Sequence, residues 1–125
     1  MSLSSFAVVH ERGDAAPMLD DPLVHCLAEK QTVLAYISRQ ALMDYFQIPG
    51  ERRLMLKDWN LVVDRHLEGF RPIIESKFEN DDWEIFNSFG HSYPKIVVTL
   101  EDMRRSGYPF TIDVLDLKSG WQSLK

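Results

Sequence analysis

The residues of this sequence best suited to chemistry near neutral pH are its histidines and its single cysteine. His66 lies within an apolar helical pattern, where it could be a desolvated, titrating base in a pocket. The alternative is a core histidine bonded to a backbone carbonyl, or a residue at an interface rim, and this is favoured because no acidic residue is spaced to orient the imidazole. His25 and Cys26 are neighbours in a predicted strand, so their side chains point to opposite faces and cannot form a nucleophile–base pair. We therefore predict no catalytic residues and a buried, unreactive Cys26.

The remaining polar clusters predict neither a metal site nor a cofactor site. The four histidines are scattered, without the His-x-x-x-His or Cys-x-x-Cys spacing of a zinc site. The carboxylates between residues 79 and 84 lack the glycine and the ligand alternation of a calcium loop, so a solvated helix end is favoured. Arginine pairs at 52–53 and 104–105 could bind a phosphate, but separate surface charges are favoured. No glycine-rich phosphate loop occurs, and we predict no metal and no cofactor.

The composition is that of an ordinary globular protein with an acidic surface. The 125 residues, 45% of them hydrophobic and 26% charged, predict a single domain over 1–125, with residues 1–22 and 117–125 peripheral. A net charge of −5 disfavours nucleic acid as a partner, because phosphate contacts need a basic surface. One cysteine excludes an internal disulfide and fits the reducing cytoplasm. No segment has the pattern of a signal peptide or a membrane span, so we predict no membrane association.

Residues 56–78 have the helical periodicity around which the other elements are predicted to pack. When these residues are placed about 100° apart around a helix, one face of the helix is apolar. That face contains Leu56, Trp59, Val62, Val63, His66, Leu67, Phe70, Ile73 and Ile74. Asp58 is the predicted N-cap. Pro72 leaves two arrangements open: one helix kinked at Pro72, favoured because the apolar pattern continues, or two helices at 59–68 and 72–80.

The segments flanking this helix predict a small sheet and short helices. The predicted strands are residues 6–9 at an edge, 23–28 and 32–37 as a hairpin, 95–99 at the centre, and 110–116. Ser38 is predicted to cap a helix at 39–47, and Thr99 to cap another that ends at Gly107. Residues 83–89 fit either a helical turn or a strand, and residues 90–94 are predicted to be a loop. The predicted fold is α+β: a small, mostly antiparallel sheet packed on one long kinked amphipathic helix, with short flanking helices.

The order of these elements carries three short motifs that resemble a known family. A hairpin at 24–37 runs directly into Ser38-Arg39-Gln40-Ala41-Leu42, which fits the pattern Ile-Ser-x-x-(Ala/Ser)-Leu. The long helix with its aromatic stripe follows, and an apolar strand then leads to a Thr-x-x-Asp segment within 97–102. Residues 22–103 thereby resemble the short bacterial proteins of the family called domain of unknown function 1488. The hairpin lacks the family's usual glycine turn, and residues 81–90 and 110–116 are additional. The resemblance implies a small α+β fold and carries over no functional residue.

Aromatic residues in short segments favour a non-catalytic interaction or regulatory module that self-associates or binds a protein partner. The alternative is a small-ligand-binding protein or enzyme with a pocket between helix and sheet, and with His66 and Tyr36 near its mouth. Nucleic-acid binding would require both arginine pairs on one continuous positive face. The residues predicted to contact a partner or ligand are His66, Tyr36, Trp83, Phe86, Phe89 and Trp121.

Overall fold

In the part of the chain that the structure describes, five strands form one mixed sheet, and the helices pack on one of its faces. The computed structural model describes residues 3–10, 21–48, 54–88 and 90–112. The strands are β1 (Leu3–Val8), β2 (Leu23–Ala28), β3 (Gln31–Ile37), β4 (Glu84–Ser88) and β5 (His91–Val98). The helices within these ranges are α1 (Arg39–Phe46), α2 (Leu56–Arg65), α3 (Leu67–Glu79) and α4 (Leu100–Ser106). None of these helices has the length and apolar character needed to cross a bilayer.

The sheet has the strand order β1-β2-β3-β5-β4. β3 and β5 pair in parallel at its centre, whereas the three other strand pairs are antiparallel. A parallel pair requires a crossover connection, which here contains α1, α2, α3 and β4. The α+β class, the largely antiparallel sheet, the hairpin of β2 and β3 and the edge position of β1 are all confirmed.

The region of β4 and β5 corrects the prediction of a loop at residues 90–94. Residues 84–88 form β4, which resolves the ambiguity of 83–89 in favour of a strand. Ser88 pairs with His91, so β5 begins immediately after the turn and includes residues 91–94 of the predicted loop. Gly90 in this turn has φ of 80°, a backbone conformation that glycine adopts without strain and that allows the chain to reverse within two residues.

The predicted long helix is interrupted at His66, and a single kinked helix is not confirmed. His66 has φ of −110° and ψ of 25°, and separates α2 from α3. Pro72 lies inside α3, so neither the predicted kink nor the predicted break at 69–71 marks the interruption. The prediction of Asp58 as N-cap is also wrong. Met55 occupies that position, and its backbone N–H donates to Asp58 Oδ2 at 2.9 Å, so Asp58 caps the helix from its third residue.

The other helix ends follow the sequence closely. Ser38 Oγ accepts a hydrogen bond from the Ala41 N–H at 3.1 Å, as predicted for the cap of α1. Thr99 accepts from the Asp102 N–H in the same way at α4, and Gly107 ends α4 with φ of 72°. Beyond it, residues 110–112 form no strand, which corrects the described part of the predicted strand 110–116; residues 113–116 lie outside the described ranges.

One continuous apolar core lies between the helices and the sheet. Alternate residues of the three central strands face the helices and are almost completely buried. These are Val24, Cys26, Val33, Ala35, Ile37, Ile96 and Val98. From the helices, Trp59, Val63, Phe70, Ile74 and Met103 fill the other side at 0% exposure. The helices thus cover this face of the three central strands, and each large aliphatic or aromatic side chain buried there stabilises the fold by about 1.5–3 kcal/mol relative to an exposed position.

Candidate functional site

His66 is buried, with 7% of its surface exposed, and both ring nitrogens have partners. Nε2 lies 2.8 Å from the Thr111 carbonyl oxygen, and Nδ1 lies 3.2 Å from Tyr108 Oη. Nε2 also lies 3.2 Å from the Thr111 backbone nitrogen and 3.2 Å from Thr111 Oγ1, so the ring is held to Thr111 and Tyr108 whichever nitrogen carries the proton. This is the geometry of the core histidine described above, and it leaves no nitrogen open to a substrate.

Tyr108 connects this histidine to α3. Its hydroxyl lies 3.4 Å from Glu68 Oε1, and its ring rests on Gly69, where an added Cβ would come within 2.7 Å of three ring atoms. Partial desolvation and the negative charge of Glu68 raise the pKa of the Tyr108 phenol, which therefore stays protonated as a donor. The His66–Tyr108 pair thus holds the segment after α4 against the junction of α2 and α3.

Tyr36 lies on the opposite side of the sheet from His66. It alternates along β3 with Ala35 and Ile37, which are fully buried under the helices, so its own side chain points to the other face. A pocket with both Tyr36 and His66 at its mouth is therefore absent from this arrangement, because the sheet itself separates the two residues.

A cleft of about 320 Å³ lies between α3 and α4, away from both of these residues. At its base Lys77 Nζ lies 2.8 Å from Asp102 Oδ2 and 2.9 Å from Asp82 Oδ2. Arg105 at its rim is paired with Glu101. Burial alone would raise the pKa of Asp102, but hydrogen bonds from Lys77 and from Thr99 outweigh it and hold that pKa below its usual value. The charged groups of the cleft thus satisfy one another, which is the chemistry of a structural ion-pair network.

The face of the sheet that bears Tyr36, here called the outer face, has none of the described helices packed on it. Most of its large side chains are half-buried. They are Leu23, His25, Leu27, Leu34, Tyr36, Phe86, Tyr93 and Lys95, with Val97 at 36% exposure. Lys95 Nζ lies 5.2 Å from the centre of the Tyr36 ring and 5.7 Å from that of Phe86, so two aromatic faces flank the one ammonium group. The outer face is consequently broad and largely apolar.

The free edge of the sheet at β4 continues this apolar surface. Ile85 points to the helix side, opposite Pro94 of β5, yet 56% of its surface is exposed because the helices do not extend this far. Phe86 points to the outer face, opposite Tyr93. Trp83 instead stacks on Phe78 at 6.0 Å and is half-buried. Trp121 and the side chain of Phe89 lie outside the described residues.

The sequence did not predict that Lys95, Val97 and Ile85 belong to this surface. The run 95–99 was predicted to be a central strand because it is apolar at successive positions, and β5 does lie between β3 and β4. The prediction did not show that Lys95 and Val97 lie on the outer face. Lys95, the one charged residue of this run, is a weak signal of an open face. Ile85 carried no signal at all, because its exposure depends on where the helices end.

Neither the chemistry of these side chains nor a comparison with known proteins assigns a function to these features. Among the residues described, no three His, Cys, Asp or Glu side chains are grouped closely enough to hold a metal ion. Cys26 is fully buried, with Sγ 3.7 Å from the Val33 carbonyl oxygen. No family model, no curated protein and no solved structure matches this sequence.

Proposed function

We propose that this protein is a non-catalytic interaction module that self-associates through the uncovered apolar part of its sheet. That surface consists of the outer face and the β4 edge, as defined above. The contrast between the covered and the uncovered parts of the sheet carries the proposal. Val33 and Ile96, beneath the helices, are 0% exposed. Val97 on the outer face is 36% exposed, and Ile85, at the β4 edge beyond the helices, is 56% exposed. Large contiguous apolar patches on a folded protein usually mark a contact surface.

A second copy of the chain suits this surface because its charges balance. Lys95 is flanked by aromatic rings, and in the strand ladder it stands opposite Glu84. Two such surfaces therefore meet without a net repulsion of like charges. A polyanion would find only this one lysine among the side chains of the outer face in the strands described, and it would face a chain of net charge −5.

Two expectations from the sequence accompany this proposal. The buried, reduced Cys26 suits a protein that works in the cytoplasm. The resemblance to the domain of unknown function 1488 family stays a prediction, and a family without an assigned activity is compatible with a binding role.

Sedimentation equilibrium of the full chain at low to high micromolar concentration tests the proposal. We expect a monomer–dimer equilibrium that weakens when Val97 is replaced by lysine, if the copies meet through the outer face, or when Ile85 is replaced by lysine, if they meet through the β4 edge. Gln40→Lys is the matched control. It adds the same charge, and Gln40 is exposed on α1, away from the sheet's outer face. A single monomeric species at every concentration would contradict the proposal, as would equal weakening by Gln40→Lys.

A further inference from the structure

The two edges of the sheet are protected to different degrees. β1 is irregular: its pairing with β2 shifts between Ser4 and Ala7, and Ser5 has φ of 56°. α2 and α3 contact β1, and the Arg71 guanidinium lies 4.9 Å from the centre of the Phe6 ring. Bulges and covering elements of this kind prevent an edge strand from pairing with another chain.

β4 has none of these protections along its described length. Its pairing with β5 is continuous from Glu84 to Ser88, with no register shift, and the strand contains no proline and no lysine. Of the strands described, only β5 pairs with β4, so alternate N–H and C=O groups of β4 point away from this partner. Ile85, at 56% exposure, shows that the helix side of this edge is also open. An edge that is regular, presents Ile85 and Phe86, and is covered by none of the described elements is a template for a further strand.

The geometry points to a second copy of this chain as that further strand, with the two β4 strands antiparallel and Phe86 opposite Phe86. The inference rests on the proposed function, since it states where the two copies join. The contact is isologous: a two-fold axis perpendicular to the sheet keeps helices on the same side in both copies. Two five-stranded sheets then become one continuous sheet, and their outer faces become one surface.

Charge and packing select this register over its neighbour. With Phe86 opposite Phe86, Glu84 faces Ser88 and Ile85 faces Asn87, so all five residues of each β4 pair. The two phenylalanines form a cross-strand aromatic pair on the outer face, and the two Ile85 side chains become diagonal neighbours on the helix side. A register centred on Ile85 would bring the two glutamates to diagonal positions and would shorten the ladder.

Cysteine crosslinking tests both the edge and the register. Opposite residues of antiparallel strands have Cα atoms about 4.5–5.5 Å apart, within the range that a disulfide spans. Cys26, the native thiol, is fully buried and does not interfere. We expect Phe86→Cys to form a disulfide-linked dimer when diamide oxidises the two thiols, whereas Lys30→Cys, an exposed control at the β2–β3 turn, does not.

A second variant keeps the test independent of the crosslink. Ile85→Lys, at a largely exposed position that the fold tolerates, should weaken dimerisation about tenfold or more, and urea unfolding checks that it is folded. Crosslinking through Ile85→Cys in place of Phe86→Cys would overturn the register. If the protein dimerises, but Ile85→Lys does not weaken the dimer and Phe86→Cys forms no disulfide, this inference is wrong while the proposed function stands. A strict monomer would overturn both.

Discussion

Replacement of Gly69 by alanine should destabilise this protein, although alanine is the better helix former. Gly69 lies buried within α3, beneath the Tyr108 ring. An added Cβ would lie 2.6 Å from Tyr108 Cδ1 and 2.7 Å from Cγ and Cε1, distances at which something must move. The ring cannot swing away freely, because its hydroxyl bonds His66 and its face packs on Phe110 with centroids 4.7 Å apart.

The magnitude follows from two opposing contributions. Alanine gains about 1 kcal/mol over glycine in a helix interior. Forcing an extra carbon into a packed site costs about 1–3 kcal/mol. The net prediction for Gly69→Ala is therefore a loss of up to about 2 kcal/mol in the free energy of unfolding.

A double-mutant cycle with Tyr108→Ala isolates the steric cause. Urea unfolding of the wild type, the two single variants and the double variant gives the effect of Gly69→Ala on the free energy of unfolding with and without the Tyr108 ring. Without the aromatic ring the clash disappears, so in that background Gly69→Ala should stabilise the protein by up to about 1 kcal/mol. The reasoning is refuted if Gly69→Ala has the same effect in both backgrounds, or if it stabilises the protein that retains Tyr108.

Two further predictions concern titratable groups. Burial, and secondarily the charge of Glu75, raises the pKa of Cys26 to about 12, so iodoacetamide at pH 8 should alkylate the folded chain at least about a hundredfold more slowly than the urea-unfolded chain. Equal rates would show that the thiol is accessible. Burial alone would raise the pKa of Asp102, but hydrogen bonds from Lys77 and Thr99 hold it below its usual value. The ionised carboxylate therefore stabilises the fold above the unfolded pKa, about 3.9, and this stabilisation is lost as the pH falls through the lower folded pKa. Asp102→Asn should therefore cost about 1–2 kcal/mol at pH 7 and progressively less below pH 4, as measured by urea unfolding; a pH-independent cost would contradict this.

Local signals in the sequence predicted the elements that depend on neighbouring residues. The strands β2 and β3, the caps at Ser38 and Thr99 and the stop at Gly107 each follow from residues within one turn of the feature itself. The burial of Val63, Phe70 and Ile74, on which the helix prediction depended, is observed as well. Periodicity of this strength identifies a core-facing helical surface from the sequence alone.

The features that the sequence did not predict depend on distant contacts. The interruption at His66 lies where the ring bonds Thr111, forty-five positions along the chain, and no pattern within 56–78 encodes that contact. The side of the sheet to which Tyr36 points depends on which face the helices cover, a choice that alternation alone leaves open. For the same reason the predicted pocket near His66 and Tyr36 had no physical basis in local spacing, whereas the exposure of Ile85 required the complete fold.

The parallel pairing at the centre of the sheet has a consequence for how quickly the chain reaches its native state. The two strand hairpins need only short loops to close, which takes microseconds. The chain leaves β3 at Ile37 and returns at His91, so joining the two hairpins closes a far longer loop, and the entropy of that closure is lost before any contact compensates for it. Refolding should therefore be limited by the meeting of two preformed halves, and until they meet, β3 and β5 each present an open edge to other chains.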